Sequence, residues 1–197
     1  TGPGGAGKTK LIEVIKEYSS KNRKNCNVCA LTGCAAHLLP KICEATTIHS
    51  WSGIGFCKGE VNDIVHSTLK WRNNRWRWEN VDILVVDEAS MMSLKIFKVL
   101  DLLGRSVRRK PEVPFGDIQV VFLGDFYQLP PVGVDRTTCF AFESQAWKRA
   151  VTRTFQLTHV YRQRDPVFVQ CLNDLRMGVV SDVTARTLTA TRNHTLV

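Results

Sequence analysis

Nine residues at the start of the chain constrain it more than any others. Thr1-Gly2-Pro3-Gly4-Gly5-Ala6-Gly7-Lys8-Thr9 fits G-x-x-x-x-G-K-[ST], with Gly2 opening the pattern and Lys8-Thr9 closing it. Glycines let a backbone curl until successive N–H groups point at phosphate oxygens. Gly2, Pro3, Gly4, Gly5, Ala6 and Gly7 are therefore read as a phosphate cradle. Lys8 would set a point charge on the β- and γ-phosphates, and the Thr9 hydroxyl would coordinate Mg²⁺. A helix directly after the loop adds the positive end of its dipole. Leu11, Val14, Ile15 and Tyr18 recur at helical spacing and predict that helix. The bland alternative is a glycine-rich surface turn, and the helix falling where the motif needs it argues against that. Such loops follow a buried strand, and no residue precedes Thr1 to form one, so the expectation is a piece cut at its N-terminus.

The 197 residues suffice for one well-filled core. A formal net charge of +9 favours a polyanionic partner such as nucleic acid. No apolar run approaches membrane-spanning length, and no membrane partner is expected. Seven cysteines, an odd number, in a nucleotide-binding type of chain point to reduced thiols in an intracellular setting. Cys26, Cys29, Cys34 and His37 imitate a metal-ligand spacing. Strand residues alternate between faces, however, so Cys26 and Cys29 should not converge, and buried structural cysteine is the favoured reading.

Along the chain, residues 27–31 read as a short strand, and 35–39 begin a helix stopped near Pro40. Residues 46–55 are small, polar and glycine-punctuated, a loop around a short helical turn. Val61, Ile64, Val65 and Leu69 predict a helix. Residues 70–78 then interleave Lys70, Arg72, Arg75 and Arg77 with Trp71, Trp76 and Trp78. Two readings stay open there: a surface that grips phosphates and stacks bases, or tryptophan core anchors beside a solvated arginine face. Residues 81–86 are an apolar strand ending in Asp87-Glu88. Ser90 or Ser93 caps the next helix, with the stripe Met92, Ile96, Val99, Leu100 and Leu103. Arg105, Arg108, Arg109 and Lys110 read as a basic patch. Pro114-Phe115-Gly116 turns the chain into a strand over 118–123, which ends in Gly124-Asp125. A helix around Trp147, a short strand over 155–157 and a helix from Pro166 carrying Phe168, Leu172 and Leu175 follow. Residues 181–197 are weakly patterned, with room for one more short helix. Strands alternating with helices, and chemistry-bearing residues at strand ends, predict an α/β fold with a mainly parallel sheet.

The strand over 83–86 delivers two carboxylates to the phosphates. Asp87 would hold Mg²⁺, and Glu88 would orient and deprotonate an attacking water. A glutamate placed there suits attack by water rather than by a substrate hydroxyl. Gln128, beyond the third strand, can sense the γ-phosphate, and Arg162 is a candidate arginine finger.

GPGGAGKT, LTGCAAHLL, TIHSWSGIG, VVDEASMM, PFGDIQVVFLGDFYQLPPV and LTHVYRQRDPVF, in this order, resemble superfamily-one DNA helicases of the Pif-one (petite integration frequency) type. FAFESQAW and LNDLRMG match that family's spacing too. The most specific part runs from Pro114-Phe115-Gly116 to Val132. The resemblance implies a RecA-like P-loop NTPase domain that hydrolyses ATP with Mg²⁺ and moves 5′-to-3′ on single-stranded and fork-like DNA. It implies roles in DNA repair, recombination and telomere maintenance, a monomer, and a nuclear or mitochondrial place in a eukaryote. It assigns Lys8, Thr9, Asp87, Glu88, Gln128 and Arg162 the roles argued above. It sets Thr32, Gly33, His49 and Ser50 near the DNA strand, with Trp51 beside it. Residues 1–180 would be the first RecA-like domain, and 181–197 would start the connection to a second one, which this chain lacks. Ala89 stands where the family often has Ile, and Asp117 where Gly is usual. The rival readings are a nucleic-acid-binding fragment without turnover, a P-loop kinase, and a RecD-like recombination motor. The Pro114-Phe115-Gly116 turn separates the last of these.

Overall fold

A computed structural model describes residues 1–131 and 140–191. Val132 and the end of the tail, 192–197, lie outside the described residues. The phosphate-loop motif runs straight into α1 (Lys8–Lys21), and β1 (Cys26–Ala30) follows. Next come α2 (Gly33–Leu38), the two-residue β2 (Thr46–Thr47) and α3 (Ile48–Ser52). Then α4 (Val61–Leu69) and α5 (Arg72–Asn80) lead to β3 (Ile83–Asp87). The last part holds α6 (Leu94–Arg108), β4 (Gln119–Phe122), α7 (Gln145–Ala150), α8 (Pro166–Arg176) and α9 (Asp182–Thr191). The sheet order is β2-β1-β3-β4, with every pairing parallel. This is the RecA-like α/β arrangement, and it sends all carboxyl ends to one edge.

The period of two along a strand builds two cores. Cys26, Val28, Ile83, Val85 and Leu123 face Ile12 of α1, together with Leu39 and Cys43. Cys29, Leu84 and Val86 face the other way, onto Trp78, Phe97, Leu100 and Leu103. Cys26 and Cys29 thus enter opposite cores. All five residues of β3 are buried, which explains its uninterrupted apolar run. Ser93 rather than Ser90 caps α6, accepting the Ile96 N–H at 3.3 Å. Trp78 is fully buried, its indole N–H donates to Ser52 O at 3.2 Å, and its ring lies 4.9 Å from that of Trp51. Trp78→Ala is expected to lower unfolding free energy by about 3–5 kcal/mol, read from denaturant midpoints at constant slope.

Several expectations need correction. The α1 stripe is rotated: Ile12 and Ser19 are buried, whereas Leu11, Val14 and Tyr18 are exposed. In α8 the buried positions are Cys171 and Asp174, not Phe168, Leu172 and Leu175. Asp174 is inside because it accepts from Gln170, Ser181 and Thr184, which pins α9 to α8. No strand forms over 155–157. Among the described residues that stretch bonds Thr1, through Thr1 N to Phe155 O at 2.7 Å and Leu157 N to Thr1 O at 2.8 Å, and two bonds to one residue make no ladder.

Three of the four members of the basic patch are paired, while Arg109 is exposed. Arg105 bonds both oxygens of Asp101 at 2.9 Å, Arg108 donates to Trp78 O and Val81 O, and Lys110 pairs with Asp117 at 2.6 Å. The carbonyls at the end of α5 need donors, and Arg108 supplies them. Asp117 has a φ of 73°, which explains why a glycine suits that position, and aspartate tolerates it better than most residues. Gly104 is required by close approach: a Cβ there would run into the Phe115 carbonyl of the Pro114–Asp117 turn.

Candidate functional site

The loop from Gly2 to Gly7 lies at the carboxyl edge of the sheet, tied to the end of β4. Gly2 N–H donates to Gly124 O at 3.3 Å, and the Thr1 hydroxyl donates to the same oxygen at 3.1 Å. Gly5 and Gly7 take φ of 78° and 91°, values a side chain would resist. A Cβ on Gly5 would also lie 2.6 Å from the Cβ of Arg162. Lys8 opens α1, and its Nζ folds back onto the loop, donating to Gly2 O at 2.8 Å and Pro3 O at 3.0 Å. Thr9 is exposed beside it.

The end of β3 brings the carboxylates. Asp87 continues the row of Ile83 and Val85, so it faces the side that α1 covers. Burial pushes its pKa up, against the Glu88 backbone N–H and the charge of Lys8. Asp87 Oδ1 is buried without a hydrogen-bond partner. A buried oxygen of this kind is costly unless something binds it. Asp87 and Thr9 are the residues that could hold Mg²⁺, and a bound cation would satisfy that orphan oxygen. Glu88 leaves the strand through a left-handed turn, φ 56° and ψ 36°. Its carboxyl is half-buried, and its pKa is raised by burial and then by Asp87. A carboxylate shifted that way is a better proton acceptor than an exposed one.

Gln128 and Arg162 come together, 34 residues apart in sequence but on one cavity of about 380 Å³ beside Pro3 and Gly4. Tyr161 N–H donates to Gly5 O at 2.9 Å, which holds the Arg162 segment against the loop. Sequence reasoning missed three residues here. Gln163 carries a buried Oε1 without a partner, 3.1 Å from where a Gly5 Cβ would be. Asp125 and Arg176 form a buried ion pair under the Gln128 turn. The strand-end Gly124-Asp125 was the available signal for Asp125, and for Arg176, 51 residues away, the one signal was its place in the LNDLRMG stretch, which says nothing of its partner.

The residues assigned to DNA divide. β1 and β2 are parallel neighbours, with Ala30 opposite Thr47, so Thr32-Gly33 and His49-Ser50 emerge side by side at the same edge. Gly33 and Ser50 are exposed, and Thr32 Oγ1 caps α2 by accepting from Ala35 N–H at 3.1 Å. Burial lowers the pKa of His49, keeping its imidazole neutral. Trp51 is 5% exposed and packs against Trp78, which anchors the α3 turn. Within residues 70–78, Trp78 is a core anchor while Trp71 and Trp76 are 71% and 60% exposed. Arg77 is structural, donating to Ser50 O and Trp51 O.

No described helix is long and apolar enough to cross a membrane. A family model described as PIF1-like helicase matches residues 1–185. The ATP-dependent DNA helicase PIF1 of Saccharomyces cerevisiae (strain YJM789) is 44% identical over 191 residues, covering 94% of this chain and 22% of that protein. The crystal structure of Pif1 helicase from Candida albicans superposes with a TM-score of 0.88 at 37% identity, over all of this chain and 44% of that one. Pif1 helicase from Bacteroides in complex with ADP-AlF3 and ssDNA superposes with a TM-score of 0.78 at 27% identity, over 99% of this chain and 46% of that one. The chain spans between 22% and 29% of the length of curated relatives such as the yeast and human proteins.

Proposed function

This chain belongs to the PIF1-like helicase family, and from that premise we propose that it is the ATP-binding and ATP-hydrolysing RecA-like domain of a 5′-to-3′ DNA helicase. Residues 1–180 are read as the ATPase unit and 181–197 as the stretch leading to a second RecA-like domain. The observation that carries the reading is Asp87. A buried, partnerless carboxylate oxygen ends the central strand on the face of the glycine loop and Lys8.

On this reading Gly2 to Gly7 hold phosphate oxygens with backbone N–H groups. Lys8 exchanges two neutral carbonyls for charged phosphate oxygens, which are the stronger acceptors. Asp87 and Thr9 hold Mg²⁺, which when bound neutralises charge on the phosphates. Glu88 orients a water and takes its proton. Gln128 and Arg162 face the terminal phosphate from the adjoining cavity, where the guanidinium offsets developing charge. Thr32, Gly33, His49 and Ser50 touch the sugar-phosphate backbone of single-stranded DNA, which reads little sequence.

Phosphate release from ATP by this chain, with Mg²⁺, is expected to rise when single-stranded DNA is added. Absence of any nucleotide binding would overturn the reading. The exposed Trp71 and Trp76 beside Lys70, Arg72 and Arg75 favour one second reading, a DNA-holding module without turnover. DNA binding with no phosphate release under the same conditions would select it.

A further inference from the structure

The Asp125–Arg176 pair has no part in the chemistry above, yet it is the most elaborately made contact of the site. Arg176 Nε donates to both Asp125 oxygens, at 2.9 and 2.8 Å, and its Nη2 donates to Oδ1 at 2.8 Å. The Asp125 side chain is 1% exposed and that of Arg176 16%. The guanidinium also lies 4.4 Å from the centre of the Tyr127 ring. A buried pair of this kind is seldom retained for stability, because desolvation consumes most of its attraction. What it does fix is geometry. The carboxylate that Arg176 holds also accepts the Tyr127 N–H at 3.3 Å, and the Asp125 carbonyl accepts the Gln128 N–H at 3.0 Å. These two bonds make the turn that carries Gln128. At the other end, Arg176 is the last residue of α8, the helix that begins just after Arg162 and Gln163. One ion pair therefore links the Gln128 turn to the segment that presents Arg162.

We propose that Arg176 is a positioning residue that acts through Asp125 to hold Gln128 toward the terminal phosphate. Its pairing makes the Gln128 turn and α8 move as one body. The inference rests on the proposed function and deepens it: the turn reports the presence of a third phosphate, and α8 receives that report. Asp125 stays ionised to do so. Burial opposes its charge, but the Arg176 guanidinium and the Tyr127 N–H outweigh that and leave its pKa below the ordinary carboxylate value.

The test is equilibrium titration of this chain with ADP and with a β,γ-imido ATP analogue, both with Mg²⁺. It compares wild type, Arg176→Ala, Gln128→Ala and the double variant. The wild-type ratio of the two affinities is expected to change about tenfold in Gln128→Ala, the loss of one hydrogen bond to a charged group. Arg176→Ala is expected to change that ratio by a similar factor and leave ADP affinity near wild type. The double variant should go no further, because Arg176 works through Gln128. A merely structural arginine would lower the melting temperature and weaken both ligands equally. Arg176→Lys keeps the charge and loses the fork, so it should recover only part of the ratio. If Arg176→Ala does not fold, a wild-type ratio in Arg176→Lys overturns the inference. So does a wild-type ratio in a folded Arg176→Ala, or effects that add in the double variant, and either leaves the proposed function standing. Wild-type protein that binds neither nucleotide overturns the proposed function and this inference with it.

Discussion

Lys8→Ala is expected to weaken ATP binding at least about a hundredfold while leaving the fold intact. A hydrogen bond to a charged group is worth about 1.5–3 kcal/mol, and Lys8 can give two to phosphate oxygens in place of those it gives to Gly2 O and Pro3 O. The fold should be nearly indifferent, because those carbonyls sit at the carboxyl edge of the sheet where water can replace the ammonium. The measurement is a titration with a fluorescent ATP analogue beside a thermal melt. Unchanged affinity would mean that the glycine loop does not hold the phosphates. A large drop in melting temperature would recast Lys8 as a loop brace.

Glu88→Gln should separate binding from chemistry. Turnover with saturating ATP is expected to fall by about 10²–10⁴, the usual contribution of a positioned general base. Nucleotide affinity should hold or improve, since the change removes a half-buried carboxylate whose charge opposes that of the neighbouring buried Asp87. Melting temperature should rise slightly for the same reason. Phosphate release at the wild-type rate would assign water activation to another group. Loss of binding along with turnover would make Glu88 part of the cradle instead.

The elements that the sequence made legible are those whose signals are local. β3 is an unbroken apolar run because both of its faces are covered, and the carboxylates at its end could be placed against the glycine loop from pattern alone. The glycine loop and α1 are contiguous, so their juxtaposition needed no tertiary knowledge. The face of α1 was misread because two helical stripes compete in it. Of the expected stripe, Ile15 packs against the core beside Ile12 while Leu11, Val14 and Tyr18 stay exposed; a stripe through Ile12, Ile15 and Ser19 has equally good spacing, and only packing against the sheet chooses between them. In α8 the decisive residue is Asp174, whose burial depends on hydroxyls of Ser181 and Thr184 that no periodicity reveals. Asp125 and Arg176 meet across 51 residues. Motif order alone places Trp51 beside the DNA strand, and nothing in that order reveals that Trp78, brought over by α5, packs against its ring.

The folded-back Lys8 also bears on timing. A loop whose lysine must wait in solvent would bind nucleotide tightly and let it go slowly. Here the Gly2 and Pro3 carbonyls hold the ammonium, so an incoming phosphate would displace two existing hydrogen bonds and a departing one would leave the ammonium acceptors to return to. Some affinity for phosphate would be given up for a readier release. If the site loads and discharges nucleotide repeatedly, as the proposed function requires, that exchange would shorten each cycle.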